Sequence, residues 1–328
     1  MGSAQLAFCA RADNLFPGDI HSIICDKRTL VKTSAMRQTL HLLPAAEYRT
    51  YIAALRQSRM RALMHIMARI EVGQKEIDGT MAALMKILGD APIPQRELAE
   101  QVKPRISKEL QGQLKLFWNN WPLFRPAIIE GLICYGPDRG REATFVRAES
   151  WLPKTSVPEE QQAKDFLLRR FLRAYGPATV RDFSKWSGMP IREAKPIWDA
   201  IQEDLTEVSI EGTRAFVLSQ DLRDLEKGKL KSPMVRLLPA FDPYMLAHEE
   251  KDHLVDALHY KRVYRNQGWL SAVVLVDGRV AGIWSYKKEG PRFQSELFQR
   301  LPAKILAKID EEAERMARFA AGKVSLES

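Results

Sequence analysis

Thr39 and His41 are the residues of this sequence whose types and spacing could do chemistry together. They alternate with Leu40, and residues i and i+2 of a β-strand lie on the same face, so a hydroxyl group and an imidazole would be neighbours. Such a pair can orient a water molecule for attack. Spacing alone favours a plainer interpretation, in which both residues form the polar side of a half-buried hairpin strand, because this alternation is common in strands.

His248 and His253 are the other residues that suggest a reactive site. They are five positions apart, so on a helix their side chains would point about 140° away from each other and could not hold one metal ion. A solvated polar loop is the favoured interpretation, and no metal site is predicted. The sequence also lacks a P-loop, a Gly-x-Ser-x-Gly nucleophile elbow and a Gly-x-Gly-x-x-Gly fingerprint, which excludes nucleotide-driven enzymes; no cofactor is predicted.

Composition and charge define the broad class of the protein. The chain has 328 residues, of which 45% are hydrophobic and 28% charged, and its 50 Lys and Arg outnumber 41 Asp and Glu to give a net charge of +9. This excess suggests a polyanionic partner. No apolar run is long enough to span a membrane, no secretory signal is visible, and Cys9, Cys25 and Cys134 form no CxxC pair, so a cytoplasmic protein is expected.

The order of predicted elements repeats along the chain. Apolar periodicity predicts helices over residues 45–70, 92–102, 106–118, 159–175, 176–186, 190–201 and 295–321, and a further helical stretch through Met81, Leu84 and Leu88 that ends at Gly89-Asp90. Alternation and turn residues predict strands over residues 29–33, 38–43, 127–135, 142–146, 205–210, 214–218, 235–238, 269–276 and 279–286. Three helices followed by a hairpin is the winged-helix order, and it occurs twice. When Pro92 is aligned with Pro177, Ile106 falls on Ile191, which indicates an internal duplication.

Basic residues cluster where a winged helix contacts DNA. The recognition helix of a helix-turn-helix enters the major groove, and the wing reaches the backbone or the minor groove. The predicted recognition helices carry Arg105, Lys108 and Lys115 in the first copy and Arg192 and Lys195 in the second; the wing turn carries Arg139 and Arg141. Each residue alone fits a solvated surface equally well, because Lys and Arg are usually exposed. Together they favour DNA binding.

The segment Arg37-Gln-Thr-Leu-His41 resembles the Arg-Gly-Thr-Leu-His signature of the AlkZ/YcaQ-like winged-helix DNA glycosylase family, with Gln38 in place of the glycine. The resemblance covers essentially the whole chain. Further matching segments are Gly176-Pro-Ala-Thr-Val-Arg-Asp-Phe-Ser-Lys-Trp-Ser-Gly188, Arg236-Leu-Leu-Pro-Ala-Phe-Asp-Pro-Tyr244, His259-Tyr-Lys-Arg-Val-Tyr-Arg265, Gly268-Trp269 and Val280-Ala-Gly-Ile-Trp284.

The resemblance implies an α+β fold of three tandem winged helices with a C-terminal β-rich element, arranged as a concave monomer around double-stranded DNA. The expected domains are the remnant of a first winged helix at residues 1–46, a second at 47–153, a third at 154–232, and the β-rich element with a closing helix at 233–328. It further implies that Arg37 belongs with the DNA-binding residues and that Thr39 and His41 form the family's Thr-apolar-His motif.

The family's other motif, Gln-apolar-Gln or Gln-apolar-Asp, has no counterpart in this chain. Family members carry it just before a stretch resembling Ser3-Ala-Gln-Leu-Ala-Phe-Cys-Ala-Arg11, so we expect the chain to lack an N-terminal segment.

Two other function classes stay open beside a glycosylase that hydrolyses the N-glycosidic bond of alkylated or crosslinked purines. One is a non-catalytic DNA-binding or regulatory protein with the same scaffold. The other is a winged-helix module that binds proteins. The glycosylase needs few catalytic groups, because an N-alkylated purine is already a cationic leaving group and requires mainly a positioned water and stabilisation of positive charge on the sugar.

Overall fold

The computed structural model describes residues 2–114, 121–210, 212–228, 232–287 and 292–321, which form a mixed fold of helices and sheets. The helices are α1 (Ser3–Cys9), α2 (Pro17–Cys25), α3 (Tyr48–Ala68), α4 (Gln74–Ile87), α5 (Gln95–Val102), α6 (Lys108–Leu114), α7 (Trp121–Ile129), α8 (Ala148–Trp151), α9 (Glu160–Tyr175), α10 (Val180–Ser187), α11 (Ile191–Asp199), α12 (Leu222–Lys227), α13 (Pro243–Leu246), α14 (Tyr260–Val263) and α15 (Ala303–Ala321). The strands are β1 (Leu30–Ser34), β2 (Leu40–Pro44), β3 (Ile93–Pro94), β4 (Ile133–Tyr135), β5 (Thr144–Arg147), β6 (Leu205–Ile210), β7 (Thr213–Leu218), β8 (Val235–Leu238), β9 (Val273–Val276), β10 (Arg279–Lys287) and β11 (Arg292–Leu297).

The chain divides into two compact units. One, called here the hairpin unit, comprises residues 22–171 and 187–202; the other, called the C-terminal unit, comprises the described parts of residues 1–21, 172–186 and 203–328.

The hairpin unit contains a sheet with the described strand order β2-β1-β4-β5-β3. The β1–β2 hairpin joins this sheet through the antiparallel pairing of Lys32 with Tyr135. Helices α3, α4, α5 and α7 cover it with an apolar core that includes Leu63, Leu84 and Phe124. The Phe124 and Phe145 rings stack with centroids 4.7 Å apart, which joins α7 to β5. The hairpin thus rests on a packed helical support.

The C-terminal unit contains a sheet with the described order β11-β10-β9-β8 and the separate β6–β7 hairpin. Asp277 (φ 46°) and Gly278 (φ 86°) form the predicted turn between β9 and β10. Positive φ at both positions matches the twist of the strands, as Asp-Gly hairpin turns require. The core under this sheet includes Met245, Val263 and Val273.

Several local predictions are confirmed. Residues 205–210 and 235–238 form the expected strands, and the helices predicted near 45–70, 159–175 and 190–201 are α3, α9 and α11. The predicted strand pair over 29–33 and 38–43 is β1 and β2, shifted by one or two residues. Of the helix predicted over 106–118, residues 108–114 form α6, and residues 115–120 lie outside the described part of the chain.

Three predictions are wrong in part. Residues 127–129 form the end of helix α7 instead of a strand, and Gly131 (φ 71°) then turns the chain into the shorter β4. Residues 295–297 belong to β11, because Ser295 pairs with Trp284 of β10; the closing helix begins only at Ala303, after Pro302. Residues 269–272 precede the short β9. A short apolar run such as residues 127–129 does not distinguish helix from strand, and the C-terminal helical pattern does not extend back across Pro302.

No described helix is long and apolar enough to cross a membrane.

Candidate active-site hairpin

The β1–β2 hairpin positions the Thr39-Leu40-His41 motif. Thr33 pairs with His41 and Ser34 pairs with Leu40 in its antiparallel register. The connecting turn is closed by a 3.0 Å hydrogen bond from the Ala35 N–H to the Thr39 carbonyl. Because Thr39 and His41 flank Leu40 on an extended segment, their side chains share one face of the hairpin.

The turn is built from two consecutive residues in the left-handed region, Arg37 (φ 51°) and Gln38 (φ 60°). This conformation is strained for a residue that carries a Cβ atom and natural for glycine. The position that is glycine in the family signature, occupied here by Gln38, therefore has the left-handed backbone that favours glycine. Gln38 adopts the same conformation and accepts a hydrogen bond on Oε1 from the Arg125 guanidinium of α7.

The Thr39 and His41 side chains converge on one carbonyl oxygen. The Met36 carbonyl accepts from Thr39 Oγ1 at 3.2 Å and from His41 Nε2 at 3.1 Å, and Thr39 Oγ1 lies 3.0 Å from His41 Nε2. A carbonyl only accepts hydrogen bonds, so this contact assigns the imidazole proton to Nε2. Nδ1 then carries the lone pair, makes no hydrogen bond within the described residues and is not sealed from solvent.

The environment of His41 keeps its imidazole neutral. Burial lowers the pKa of His41 to about 4, and the positive charges of Arg37 and Arg59 act in the same direction against the opposing Met36 hydrogen bond. A histidine with this pKa is uncharged at pH 7. His41 is therefore an acceptor through Nδ1 and a donor through Nε2.

Arg59 anchors the end of β1 from beneath. It lies on α3, is 5% exposed, and donates from Nη1 to the Ser34 carbonyl at 2.8 Å and from Nη2 to Ser34 Oγ at 2.9 Å. Burial lowers the pKa of Arg59 to about 10, so the cation is held there against its desolvation cost. Sequence reasoning missed this residue, although its position four residues from both Leu55 and Leu63 places a charge in the apolar stripe of α3.

Gly188 contacts the turn of the β1–β2 hairpin at Arg37. A Cβ atom at this position would lie 2.8 Å from Arg37 Cα and 2.9 Å from Arg37 N. Helix α11 begins three residues later and is fixed to α3, because Glu193 Oε2 lies 2.9 Å from the Arg61 guanidinium. Burial raises the pKa of Glu193, but hydrogen bonds from Ser58 and Arg61 outweigh this and lower it. The start of α11 is thus held beside the hairpin turn.

A cavity of about 170 Å³ lies on the Leu40 face of the hairpin, where its lining includes Ser34, Arg125 and Tyr135. Burial lowers the pKa of Arg125 and raises that of Tyr135. Leu40 alternates with Thr39 and His41, so this cavity is on the face opposite to them. A larger cavity of about 610 Å³, lined in part by Tyr48 and Leu132, includes no predicted site residue.

The described DNA-binding candidates of the first predicted recognition helix and its wing are exposed; they are Arg105, Lys108, Arg139 and Arg141. Arg105 lies in the short 3₁₀ turn before α6, so the helix itself begins at Lys108. Arg139 and Arg141 flank Gly140 in the tight turn between β4 and β5, which is closed by the mutual backbone hydrogen bonds of Arg139 and Glu142. Lys115 lies outside the described residues.

Helix α11, the second predicted recognition helix, carries Arg192 and Lys195 on its exposed side. Lys195 Nζ forms an ion pair with Asp199 Oδ1 at 2.7 Å. Arg37 is half-buried in the hairpin turn, against Gly188. Arg37 and α11 therefore belong to one local arrangement, which the sequence order alone could not indicate.

The described residues contain no group of three or more His, Cys, Asp or Glu side chains that could hold a metal ion. The His248 and His253 rings lie 4.8 Å apart, edge to face, and His248 Nε2 donates to the Tyr175 carbonyl at 2.9 Å. The pair lies in a loop, as predicted, but both histidines are half-buried in the C-terminal unit rather than solvated.

Comparisons with known proteins identify the family of the chain. The model of the family described as DNA glycosylase AlkZ-like matches residues 1–319. An interstrand DNA cross-link repair glycosylase from Streptomyces sahachiroi is 30% identical over 263 residues, which cover 78% of this chain and 70% of that protein. The solved structure of the Streptomyces sahachiroi DNA glycosylase AlkZ is similar, with a TM-score of 0.83 and 26% identity, over 96% of this chain and 86% of the other. The chain belongs to the AlkZ-like DNA glycosylase family.

Proposed function

We propose that this protein binds double-stranded DNA and hydrolyses the N-glycosidic bond of alkylated or crosslinked purines. The observation that carries the proposal is the Thr39–His41 arrangement on the hairpin, which holds a neutral imidazole with its Nδ1 lone pair directed away from the Met36 carbonyl. Membership of the AlkZ-like family supports the reaction class, and the relative from Streptomyces sahachiroi supports crosslinked DNA as a substrate.

In this reaction a water oxygen bonds to the sugar C1′, the C1′–N bond breaks with its electron pair passing to the cationic base, which leaves neutral, and the proton lost by the water passes to bulk solvent. An N-alkylated purine leaves readily because it is already cationic. His41 Nδ1 accepts a hydrogen bond from the attacking water and orients it, while Thr39 Oγ1 fixes the ring plane. A neutral imidazole adds no positive charge beside the developing oxocarbenium ion.

The scaffold is proposed to be a set of tandem winged helices within residues 1–46, 47–153 and 154–232, followed by the β-rich element at 233–328. Helices α4, α5 and α6 of the second correspond in order to α9, α10 and α11 of the third, and the pairs β4–β5 and β6–β7 follow them, with α7 as an additional helix before β4; this order supports the arrangement. The protein is proposed to act as a monomer in the cytoplasm, on the nucleoid, without a nucleotide cofactor.

DNA contacts are proposed for Arg37, Arg105, Lys108, Lys115, Arg139, Arg141, Arg192 and Lys195. Removing a residue that contacts phosphate lowers the slope of log binding constant against log salt concentration by about one unit. Arg192→Ala should show this reduction. Lys195→Ala should show less, because its ammonium group is already paired with Asp199.

The experiment that tests the function measures base release and binding on the same duplex carrying N7-alkylguanine. Release of the alkylated base with formation of an abasic site supports the glycosylase. Binding without release would instead support the non-catalytic DNA-binding alternative, which the missing Gln-apolar-Gln or Gln-apolar-Asp motif keeps in view. Absence of DNA binding would favour the protein-interaction module.

A further inference from the structure

Phe241 and Trp269 form an exposed aromatic pair in the C-terminal unit. Their ring centroids are 5.1 Å apart with the planes at 81°, an edge-to-face contact. Phe241 is 41% exposed and Trp269 is 52% exposed. Rings of this size are usually covered in folded proteins, so a paired set left in solvent indicates a binding surface.

The backbone holds both rings firmly in place. The Arg265 N–H donates to the Trp269 carbonyl at 2.8 Å and closes a tight loop in which Gln267 (φ 59°) and Gly268 (φ 73°) are left-handed. The next residue, Leu270, is 1% exposed and anchors the loop in the core. Trp269 is therefore presented by a fixed loop, and its binding loses little conformational entropy.

Phe241 is fixed in a comparable way. Its φ of 60° is rare for a bulky side chain. The following residue, Asp242, is 1% exposed and receives two hydrogen bonds from the Arg11 guanidinium, at 2.8 Å and 2.6 Å. The surrounding contacts thus maintain a strained backbone that turns this ring outward.

The charges beside the pair are positive. Arg265 begins the Trp269 loop, is exposed and has no carboxylate partner in the described part of the chain; Lys261 of α14, four residues earlier, is also exposed without one. The Arg11 side chain near Phe241 is 47% exposed. Arg11 is paired with Asp242, so among the described residues Arg265 is the cation available beside the rings. Exposed rings next to an unpaired arginine fit a nucleic acid, whose bases stack on rings and whose phosphates bind arginine.

The small area of the pair argues against a protein partner. Two aromatic side chains can bury at most about 500 Å² in total, whereas a stable protein interface buries about 800 Å² on each partner. Stacking on a base needs only the faces of the rings.

We propose that Phe241, Trp269 and Arg265 form a second DNA contact, called here the aromatic contact, in which the Trp269 ring stacks on a base left unstacked at a damaged site, Phe241 supports that ring edge to face, and Arg265 binds the flanking phosphate. This inference rests on the proposed DNA substrate and adds a site that selects distorted duplexes. Distorted sites suit it because unstacking a base at a lesion costs less than in an intact duplex.

The test compares binding of two fluorescein-labelled duplexes, one intact and one with a tetrahydrofuran abasic-site analogue that leaves its opposite base unpaired. The full chain and the variants Trp269→Ala, Trp269→Phe and Leu258→Ala are measured by fluorescence anisotropy. Leu258 is the matched control, because it is an 85% exposed apolar residue of the same unit. Thermal unfolding of each variant checks that the fold is unchanged.

Trp269→Ala is expected to weaken binding of the interrupted duplex by between about 5-fold and about 100-fold, with a smaller effect on the intact duplex. Trp269→Phe should recover most of this loss, and Leu258→Ala should bind like the parent chain. Equal binding of the interrupted duplex by Trp269→Ala and the parent would overturn the aromatic contact while leaving the glycosylase proposal intact. Weaker binding by Trp269→Ala together with no base release by the parent would support the aromatic contact and overturn the glycosylase proposal. A parent chain that binds neither duplex would overturn both.

Discussion

Gly188 lies against the backbone of Arg37 so closely that no side chain fits between them, since a Cβ atom would be 2.8 Å from Arg37 Cα. The contact joins the residue just before α11 to the turn that carries Thr39 and His41. The predicted DNA-binding helix α11 and the candidate catalytic hairpin are therefore joined by this close approach of two backbone segments.

Gly188→Ala should disturb this contact. The substitution has a conformational cost of about 1 kcal/mol, because φ is 80° at this position, and a steric cost of about 1–3 kcal/mol against the Arg37 backbone. We expect a matching loss in the free energy of unfolding, measured in urea, and lower base release per folded molecule.

Gly212→Ala is the control for that prediction. Gly212 has φ 82°, and no atom lies within 4 Å of its would-be Cβ. The Gly212→Ala variant should lose only the conformational cost of about 1 kcal/mol in the free energy of unfolding and keep full base release. If the two variants lose the same stability, the Arg37 contact has no energetic importance.

Gln38→Gly and Gln38→Ala separate backbone strain from the hydrogen bond to Arg125. Both variants remove that hydrogen bond, and only glycine relieves the left-handed φ of 60°. The glycine variant should therefore be more stable than the alanine variant by about 1 kcal/mol in urea unfolding. Equal stabilities would mean that the turn relaxes away from this conformation.

Arg59→Met should reduce base release more than stability. Two hydrogen bonds to Ser34 are lost, but so is the desolvation cost seen in the lowered pKa of Arg59, and these effects should offset to within about 2 kcal/mol. Released from its anchor, the end of β1 can shift, and misplacement of about 1 Å can cost about 100-fold in rate.

Arg56→Met makes the same change on the same helix at an exposed site. Arg56 pairs with Glu130 at 3.4 Å and its side chain is 52% exposed, so the loss should be under about 1 kcal/mol with base release unchanged. Similar base release by the Arg56 and Arg59 variants would exclude a positioning role for Arg59.

His41 should make the protein less stable in mild acid. Its pKa is about 4 when folded and 6.5 when unfolded, so below pH 6.5 the unfolded chain gains a proton that the folded chain does not, and stability falls as the pH falls toward 4. The contribution lost at pH 5 is about 2 kcal/mol. His41→Gln should lack this component when urea unfolding at pH 7.5 and pH 5 is compared. An identical pH dependence in both proteins would show that His41 titrates normally.

Local signals in the sequence predicted the hairpin strands, the helices α9 and α11, and the Asp277-Gly278 turn. Arg59 carried a readable signal as well, because a charge four residues from two apolar neighbours on a helix must find a buried partner. The approach of Gly188 to Arg37 had none, since it depends on how distant segments pack. Residues 127–129 were assigned wrongly because a short apolar run fits either a helix or a strand until its neighbours decide. Residues 295–297 were assigned wrongly because the helical pattern was extended back across Pro302, whereas the pairing of Ser295 with Trp284 holds them in β11.

The central claim is that Thr39 and His41 act on the glycosidic bond, and single-turnover release of N7-alkylguanine from duplex DNA tests it most directly. The parent chain should release the base, and His41→Gln and Thr39→Val should each be slower by about 10-fold or more while binding the duplex equally well. Release at the parent rate by both variants, or binding without any release by the parent chain, would contradict the claim.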